Sequence, residues 1–413
     1  MASNYTPLAA EMWLDDVQDF VIEKTVRTSV ATNEQISDKT VHSPYVSNAV
    51  ADTTTDGTYT ADGSTATDES FTVSTQIIST EKIKSSDAMA SHYGLNTLTT
   101  KNHGSALARR EDQMMFAALS STLTNTVNDG LLASASNGGG TKAIIASSSN
   151  IEETLDLGLQ LAYEADMDVD ADVVTVMDFK TASKLKQFMT STGNAVADSA
   201  LVSGFGYFGK TYNGISVYTS NLIEQEAVLS LVTQPTADDT ITVNGIVFTF
   251  VASPAVAGDV DLGSDVDATR ANLAAAITSG AGAGTAYIAV SSANAKNLRQ
   301  RFVKATNDDT ANTLTVKSYG ALTVAKALTD GTDAFGDVVK LIPVFKRGIV
   351  HNYRVLSAGA DVLGGAYTIS NGIALANKTI GGFTGVEQEV NELFGSKIWN
   401  NSKGFGAILR IKA

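Results

Sequence analysis

Three glycines, Gly204, Gly206 and Gly209, spell G-x-G-x-x-G inside "SGFGYFGKTYNGISVYTS". Such a run cradles a dinucleotide pyrophosphate when a strand precedes it and a helix N-terminus follows. Here Ile215 and Val217 follow in strand-like alternation, so the run reads as a flexible loop leading into a strand. Asp166, Asp168, Asp170 and Asp172 alternate like the opening of a calcium loop. The sixth position holds Ala171 where glycine makes the sharp turn, and the twelfth holds Met177 where a bidentate glutamate closes the site. The acids therefore read as a solvated lead-in to a strand beginning near residue 173. His42, His92, His103 and His351 share no ligand-like spacing, and read as surface or interface side chains. The chain has no cysteine, which removes disulfides, thiolate zinc sites and thiol nucleophiles. No G-x-S-x-G elbow presents a serine for attack. The expectation is a protein that is not an enzyme and has no cofactor.

A different chemistry, that of charge pairing between surfaces, has clearer candidates. Between Lys39 and Lys82 there is no lysine or arginine, while Asp52, Asp56, Asp62, Asp68 and Glu69 supply negative charge. "KTVHSPYVSNAV" and "ESFTVSTQIISTEKIK" are β-like, and between them Asp56-Gly57 and Asp62-Gly63 mark turns in a polar stretch. Residues 39–84 thus read as a long two-stranded arm with an acidic, polar tip. A lone ribbon is marginal in water, so the arm is expected to lie on another surface, that of another chain. Arg109 and Arg110 are the leading basic candidates to receive the acids. They sit on a helix expected over about 101–128, with Leu107, Met114, Met115, Ala118, Leu119 and Leu123 at helical spacing. Two adjacent residues cannot both face its apolar stripe.

The elements that carry these residues belong to a folded protein. Of 413 residues, 43% are hydrophobic and 18% charged, which is a globular composition, and the length suggests two or three domains. The net charge is −15, and no basic run exceeds Arg109-Arg110 or Lys346-Arg347. A clamp on nucleic acid needs a basic face, so DNA near this protein would be enclosed or repelled rather than gripped. No basic segment followed by an apolar run marks the N-terminus as a secretory signal, and no apolar stretch approaches the ~18 residues that span a bilayer.

Along the chain, Thr6-Pro7 opens a helix with Trp13, Val17, Phe20 and Val21 on one face. "NIEETLDLGLQLAYEADM" reads as a helix with Asn150 as N-cap and Glu153 at the reciprocal capping-box position. "ADVVTVM" reads as a buried strand and "DFKTASKLKQFM" as a helix. In "DTITVNGIVFTFVA", residues 239–252, Asn244-Gly245 supplies a two-residue turn between alternating strands. That hairpin begins a self-contained stretch, roughly 226–340. It continues into a helix bearing Ala268, Ala271, Leu273 and Ile277 and expected strands at "TAYIAVSS" and "NTLTVKSYG".

The order of N-terminal helix, acidic β arm, long helix, helix–strand–helix and then "YNGISVYTSN" resembles the major capsid protein of tailed double-stranded DNA bacteriophages, the Hong Kong 97-type fold. The closing "TGVEQEVNELFGSKIWNNSKGFGAILRIKA" is similar to that family's final strands. The resemblance covers residues 1–223 and about 341–413. It implies an α+β fold with an N-terminal arm at 1–38, an extended β loop at 39–84, and a core of peripheral and axial domains at 85–225 and 341–413. An insertion domain fills 226–340, and its "TVNG" hairpin resembles a small α+β module of phage structural proteins. The resemblance also implies a virion shell built from the chain itself as hexamers and pentamers, and assembly in the host cytoplasm. The implied partners are a separate scaffolding protein, a portal protein, a possible decoration protein and packaged DNA held only non-specifically, with no membrane. Some members cross-link a loop lysine to a neighbour's asparagine, and the arm here lacks that lysine, so shells without covalent cross-links are expected. Other readings are a tail tube or sheath subunit, which can share the module, and a surface adhesin rich in Ser, Thr and Gly.

Overall fold

The computed structural model describes residues 25–46, 66–84, 95–168, 170–191, 207–211, 213–356, 367–370, 373–378 and 385–413. The helix expected after Thr6-Pro7 lies outside them. The fold is α+β and divides into two units: Met1–Ala118 with Gly348–Lys403, and Leu119–Arg347 with Gly404–Ala413.

In the first unit the sheet order is Thr32–Ile36, Val350–Val355, Gly385–Ile398, Ile373–Lys378, Tyr367–Ser370, and Gln76–Lys84 also pairs with Gly385–Ile398. Thr32–Ile36 runs parallel to Val350–Val355; the other pairs are antiparallel. Thr40–Val46 and Ala66–Thr72 form a separate two-stranded ribbon. "ESFTVSTQIISTEKIK", which alternates as if it were one strand, breaks at 73–75. Its first half stays with the ribbon and its second half joins the sheet. The helix Leu95–Thr122 turns Leu107 and Ala108 onto Ile77, Ile373, Val390 and Phe394. It begins earlier and ends earlier than its spacing predicts. "TLTNTV" alternates β-branched residues, and Asn125–Val127 leaves helical geometry to pair in parallel with Ala407–Leu409.

The second unit carries a ten-stranded sheet whose main path is Lys304–Asp308, Thr313–Tyr319, Glu224–Ser230, Val339–Lys346, Val173–Met177, Ser216–Thr219 and Tyr207–Lys210. Val173–Met177 is buried along its whole length, as an apolar strand covered on both faces should be. Two hydrophobic clusters share this unit. One joins Val127, Leu155, Leu185, Val217, Val344 and Leu409, and every one of its buried residues lies outside 226–340. The other joins Ile241, Phe248, Phe250, Leu273, Leu298 and Val316, and all of its buried residues lie between 227 and 322. The hairpin at Thr240–Val243 and Ile246–Val251 is present. Asn244 and Gly245 turn it with φ of 50° and 77°, the double positive φ of the favoured hairpin turn.

Three expectations change. Asn150 does not cap the helix Ile151–Glu164. Its ψ of −7° is not the extended backbone of an N-cap, and its side chain serves the preceding loop, accepting from Ser147 N and donating to Ile145 O. Glu153 accepts from Ala133 N instead. "TAYIAVSS" makes only isolated bridges at Tyr287, and the next regular element is a helix, Ser292–Gln300, capped by Ser291. On the helix Val266–Thr278 the buried side is Thr269, Arg270, Leu273, Ala276 and Ile277, with Ala271 exposed.

Candidate functional site

The ribbon is built by period-two alternation. The register sets Val41 opposite Phe71, Ser43 opposite Glu69 and Pro44 opposite Asp68. Val41, Ser43, Tyr45, Glu69 and Phe71 are half-buried, whereas Thr40, His42, Pro44, Asp68, Ser70 and Thr72 are exposed. The half-buried face rests on the first unit's own sheet. Phe71 lies 6.0 Å from the Tyr353 ring, beside a cluster of Val73, Tyr353, Val355 and Trp399. Its ring edge passes over Gly395 so closely that a Cβ there would lie 2.9 Å from Phe71 Cε1 and Cζ. Only a residue without a side chain leaves room for that ring.

The seven residues picked out by charge divide three ways. Asp52, Asp56 and Asp62 lie outside the described residues. Glu69 is held at the ribbon's root: Lys397 Nζ is 2.7 Å away and Asn400 N donates at 2.8 Å. Burial pushes its carboxyl up, but the Lys397 hydrogen bond, the Asn400 amide and the charges of Lys397 and Lys403 outweigh that and hold it below the ordinary carboxylate range. Asp68 sits on the exposed face, 2.8 Å from His42 Nδ1. Arg109 is exposed and Arg110 half-buried, at the middle of the helix Leu95–Thr122. Their neighbours Leu107, Ala108, Glu111 and Asp112 are buried.

The chemistry-like signals land in structural roles. Asp168 is 2.6 Å from Lys346 Nζ and Asp172 is 2.6 Å from Arg347 Nε, so half of the aspartate run is spent on that basic pair. Among the described residues no group of three or more His, Asp or Glu could hold a metal ion. Gly204 and Gly206 lie outside the described residues, and the strand Ser216–Thr219 follows them. His103 is buried with Nδ1 2.8 Å from Ser79 Oγ; burial pushes its pKa down, against the pull of Glu81. His351 lies 2.9 Å from Glu34 and stacks on Tyr353 at 6.1 Å. His92 is outside the described residues.

Charge reading alone missed a buried ionic cluster in the first unit. Glu111 receives Arg27 at 2.7 Å and also Arg354, and Arg354 Nε lies 2.9 Å from Glu392. No local pattern marks these residues, because they are drawn from four separate stretches of chain.

No protein-family model matches the chain, and no curated protein matches it. Solved structures do. The capsid of cyanophage P-SCSP1u is 13% identical with a TM-score of 0.46, over 94% of this chain and 88% of that one. The capsid of Ralstonia phage GP4 is 10% identical with a TM-score of 0.46, over 94% and 90%. A virus-like particle from Pyrococcus furiosus is 9% identical with a TM-score of 0.43, over 97% and 99%.

Proposed function

We propose that this chain is the major capsid protein of a tailed bacteriophage, and that copies assemble as hexamers and pentamers into an icosahedral shell around double-stranded DNA. The observation that carries the reading is the ribbon. Its root is fastened to the chain's own sheet by Phe71 and Glu69, while its outer face is polar and exposed. Among the described residues its strands pair with each other and with no further strand. A two-stranded ribbon gains little stability in a monomer, whereas in a closed lattice every copy offers it a neighbouring surface. We assign the acids Asp52, Asp56, Asp62 and Asp68 to that contact. Arg109 and Arg110 of the next copy are the receiving groups, Arg109 standing exposed on the long helix. Each exposed pair is worth about 0.2–1 kcal/mol, but the lattice repeats it at every subunit.

In this reading residues 1–38 are an N-terminal arm, 39–84 the extended loop, 85–225 and 341–413 the core, and 226–340 an insertion. A separate scaffolding protein, a portal protein and a decoration protein are the implied partners in host cytoplasm, and the enclosed DNA is held non-specifically. Electron microscopy of the purified chain tests the reading: closed polyhedral shells support it, and helical tubes would assign the chain to a tail instead. Arg109→Glu with Arg110→Glu should block assembly of a chain that remains folded, and Asp62→Lys with Asp68→Lys added should restore particles. Normal assembly of the double arginine variant would place the acids' partner elsewhere.

A further inference from the structure

The cluster around Glu111 has an uneven charge count. Its carboxyls are Glu111, Asp112 and Glu392, and its guanidiniums are Arg27 and Arg354; all five side chains are buried. Glu111 bridges the two arginines, and Arg27 also donates to Asn33 Oδ1 at 2.6 Å. Among the described residues Glu392 pairs with one cation, Arg354 at 2.9 Å, and its carboxyl also meets that of Glu111. Asp112 has no side-chain cation within hydrogen-bond range among the described residues. It accepts instead from the backbone amides of Val26, at 3.1 Å, and Arg27, at 3.2 Å. With every carboxyl ionised these five described side chains would carry one surplus negative charge away from water, an expensive arrangement that a proton relieves.

We infer that this cluster holds one proton at neutral pH, on either the Asp112 or the Glu392 carboxyl, and that losing it loosens the docking of the N-terminal stretch Thr25–Ala31. The device is a latch. Asp112 holds the two amides that open the short helix Arg27–Val30, and Arg27 ties that helix to Glu111, 84 residues away. After Ala31 the chain enters the sheet as Thr32–Ile36 beside Val350–Val355. The charged groups that face the two carboxyls are Arg27 from the short helix, Glu111 from the long helix and Arg354 from the strand Val350–Val355.

The direction of titration agrees. Burial pushes Asp112 up to about 7, with Glu111 adding repulsion, against the two amides and the Arg27 charge. Burial and then Glu111 push Glu392 upward too. An acid whose pKa is raised on folding stabilises fully below its ordinary range, and that stability is lost as pH rises through the folded value. The latch is therefore firm in acid, weakens as pH rises from the ordinary carboxylate range, and is fully weakened above about 7.

The test is hydrogen exchange of the full chain, followed in a peptide spanning Thr25–Ile36 from about pH 4 to about pH 8, which brackets the ordinary and the raised values. Loss of one proton coupled to opening lowers amide protection by up to about tenfold per pH unit, beyond the intrinsic rise in exchange rate. The wild type should show that fall, and Glu392→Gln, which removes the surplus charge, should abolish it. Protection that follows only the intrinsic rate in the wild type overturns the inference, as does a Glu392→Gln variant that falls like the wild type. If Glu392→Gln does not fold, infrared difference spectra of the chain decide. A protonated-carboxyl stretch should titrate near neutrality in a Glu152→Gln background. That background is needed because Glu152, in the second unit, is itself pushed up to about 7 by burial and then by Asp156. Absence of the band overturns the inference.

Discussion

Replacing Asp129 by Asn should destabilise the second unit at neutral pH and leave it nearly unchanged in strong acid. Asp129 is inaccessible to solvent, at the start of the loop "DGLLASASNGGG". Its carboxylate accepts from Ser136 N at 2.7 Å, Asn137 N at 2.7 Å, Gly139 N at 2.8 Å and Ser136 Oγ at 2.5 Å. Burial pushes the carboxyl up, but those four donors outweigh it and bring it from 3.8 to about 2. At about 1.36 kcal/mol per pH unit, that drop corresponds to about 2.4 kcal/mol at neutral pH. When the loop opens, water replaces part of what the carboxylate gives up, so a loss of about 1–2 kcal/mol is expected. Because the folded pKa is depressed, this stability is present above the ordinary value near 4 and is lost as pH falls through about 2. The assay is thermal unfolding of wild type and Asp129→Asn at about pH 7 and again at about pH 2.5, where the gap should have narrowed to about a third on its way to vanishing below about pH 2, with exchange of the Ser136–Gly139 amides as the local reporter. A gap between the two proteins that is as wide in acid as at neutrality would show that geometry, not the carboxylate charge, organises the loop. No gap at neutrality would refute the reasoning altogether.

Gly395→Val should unseat Phe71, because the new side chain would begin 2.9 Å from the ring; protease cleavage within the ribbon at unchanged overall folding is the readout, and unaltered resistance would show that the ring moves aside freely. A fragment spanning 226–336 should fold alone with strand and helix signals by circular dichroism, since its cluster draws all of its buried residues from within that range; an unfolded fragment would show that its strands need the neighbouring sheet. Assembled particles boiled in detergent should release single chains near 43.1 kDa, since the chain has no cysteine and the arm between Lys39 and Lys82 has no lysine; a ladder of covalent oligomers would contradict this.

The hairpin at 240–251 was legible because every part of it is local. The turn needs positive φ at two adjacent residues, and Asn244-Gly245 meets that need without help from elsewhere. The strand Val173–Met177 and the helix Phe179–Ser191 were legible for the same reason: runs of one periodicity, with turn residues beside them. Errors occurred where tertiary partners override local preference. The long return strand of the arm alternates without interruption. Yet Val73 is fully buried and its amide donates to Lys39 O, so the chain turns away there from the ribbon and into the sheet. Asn150 and Glu153 have the spacing of a capping box, but the loop 129–147 competes for both side chains and wins them.

The buried cluster exposes the limit of reading charge from sequence. In sequence Arg27, Glu111, Asp112, Arg354 and Glu392 look like ordinary solvated positions, and Arg109-Arg110-Glu111-Asp112 looks like one charged helix face. A helix turns 100° per residue, so four consecutive charges cannot share a face. Arg109 goes outward while Glu111 and Asp112 go inward. What makes the inward pair tolerable is cation supplied from 84 and 243 residues away, a separation that no periodicity encodes. The same separation makes the cluster informative. Charges buried this deeply persist only when their partners are fixed in place, so Arg27 and Arg354 tie the entry of the N-terminal stretch to the central sheet. The one carboxyl left over marks where a proton must enter the balance.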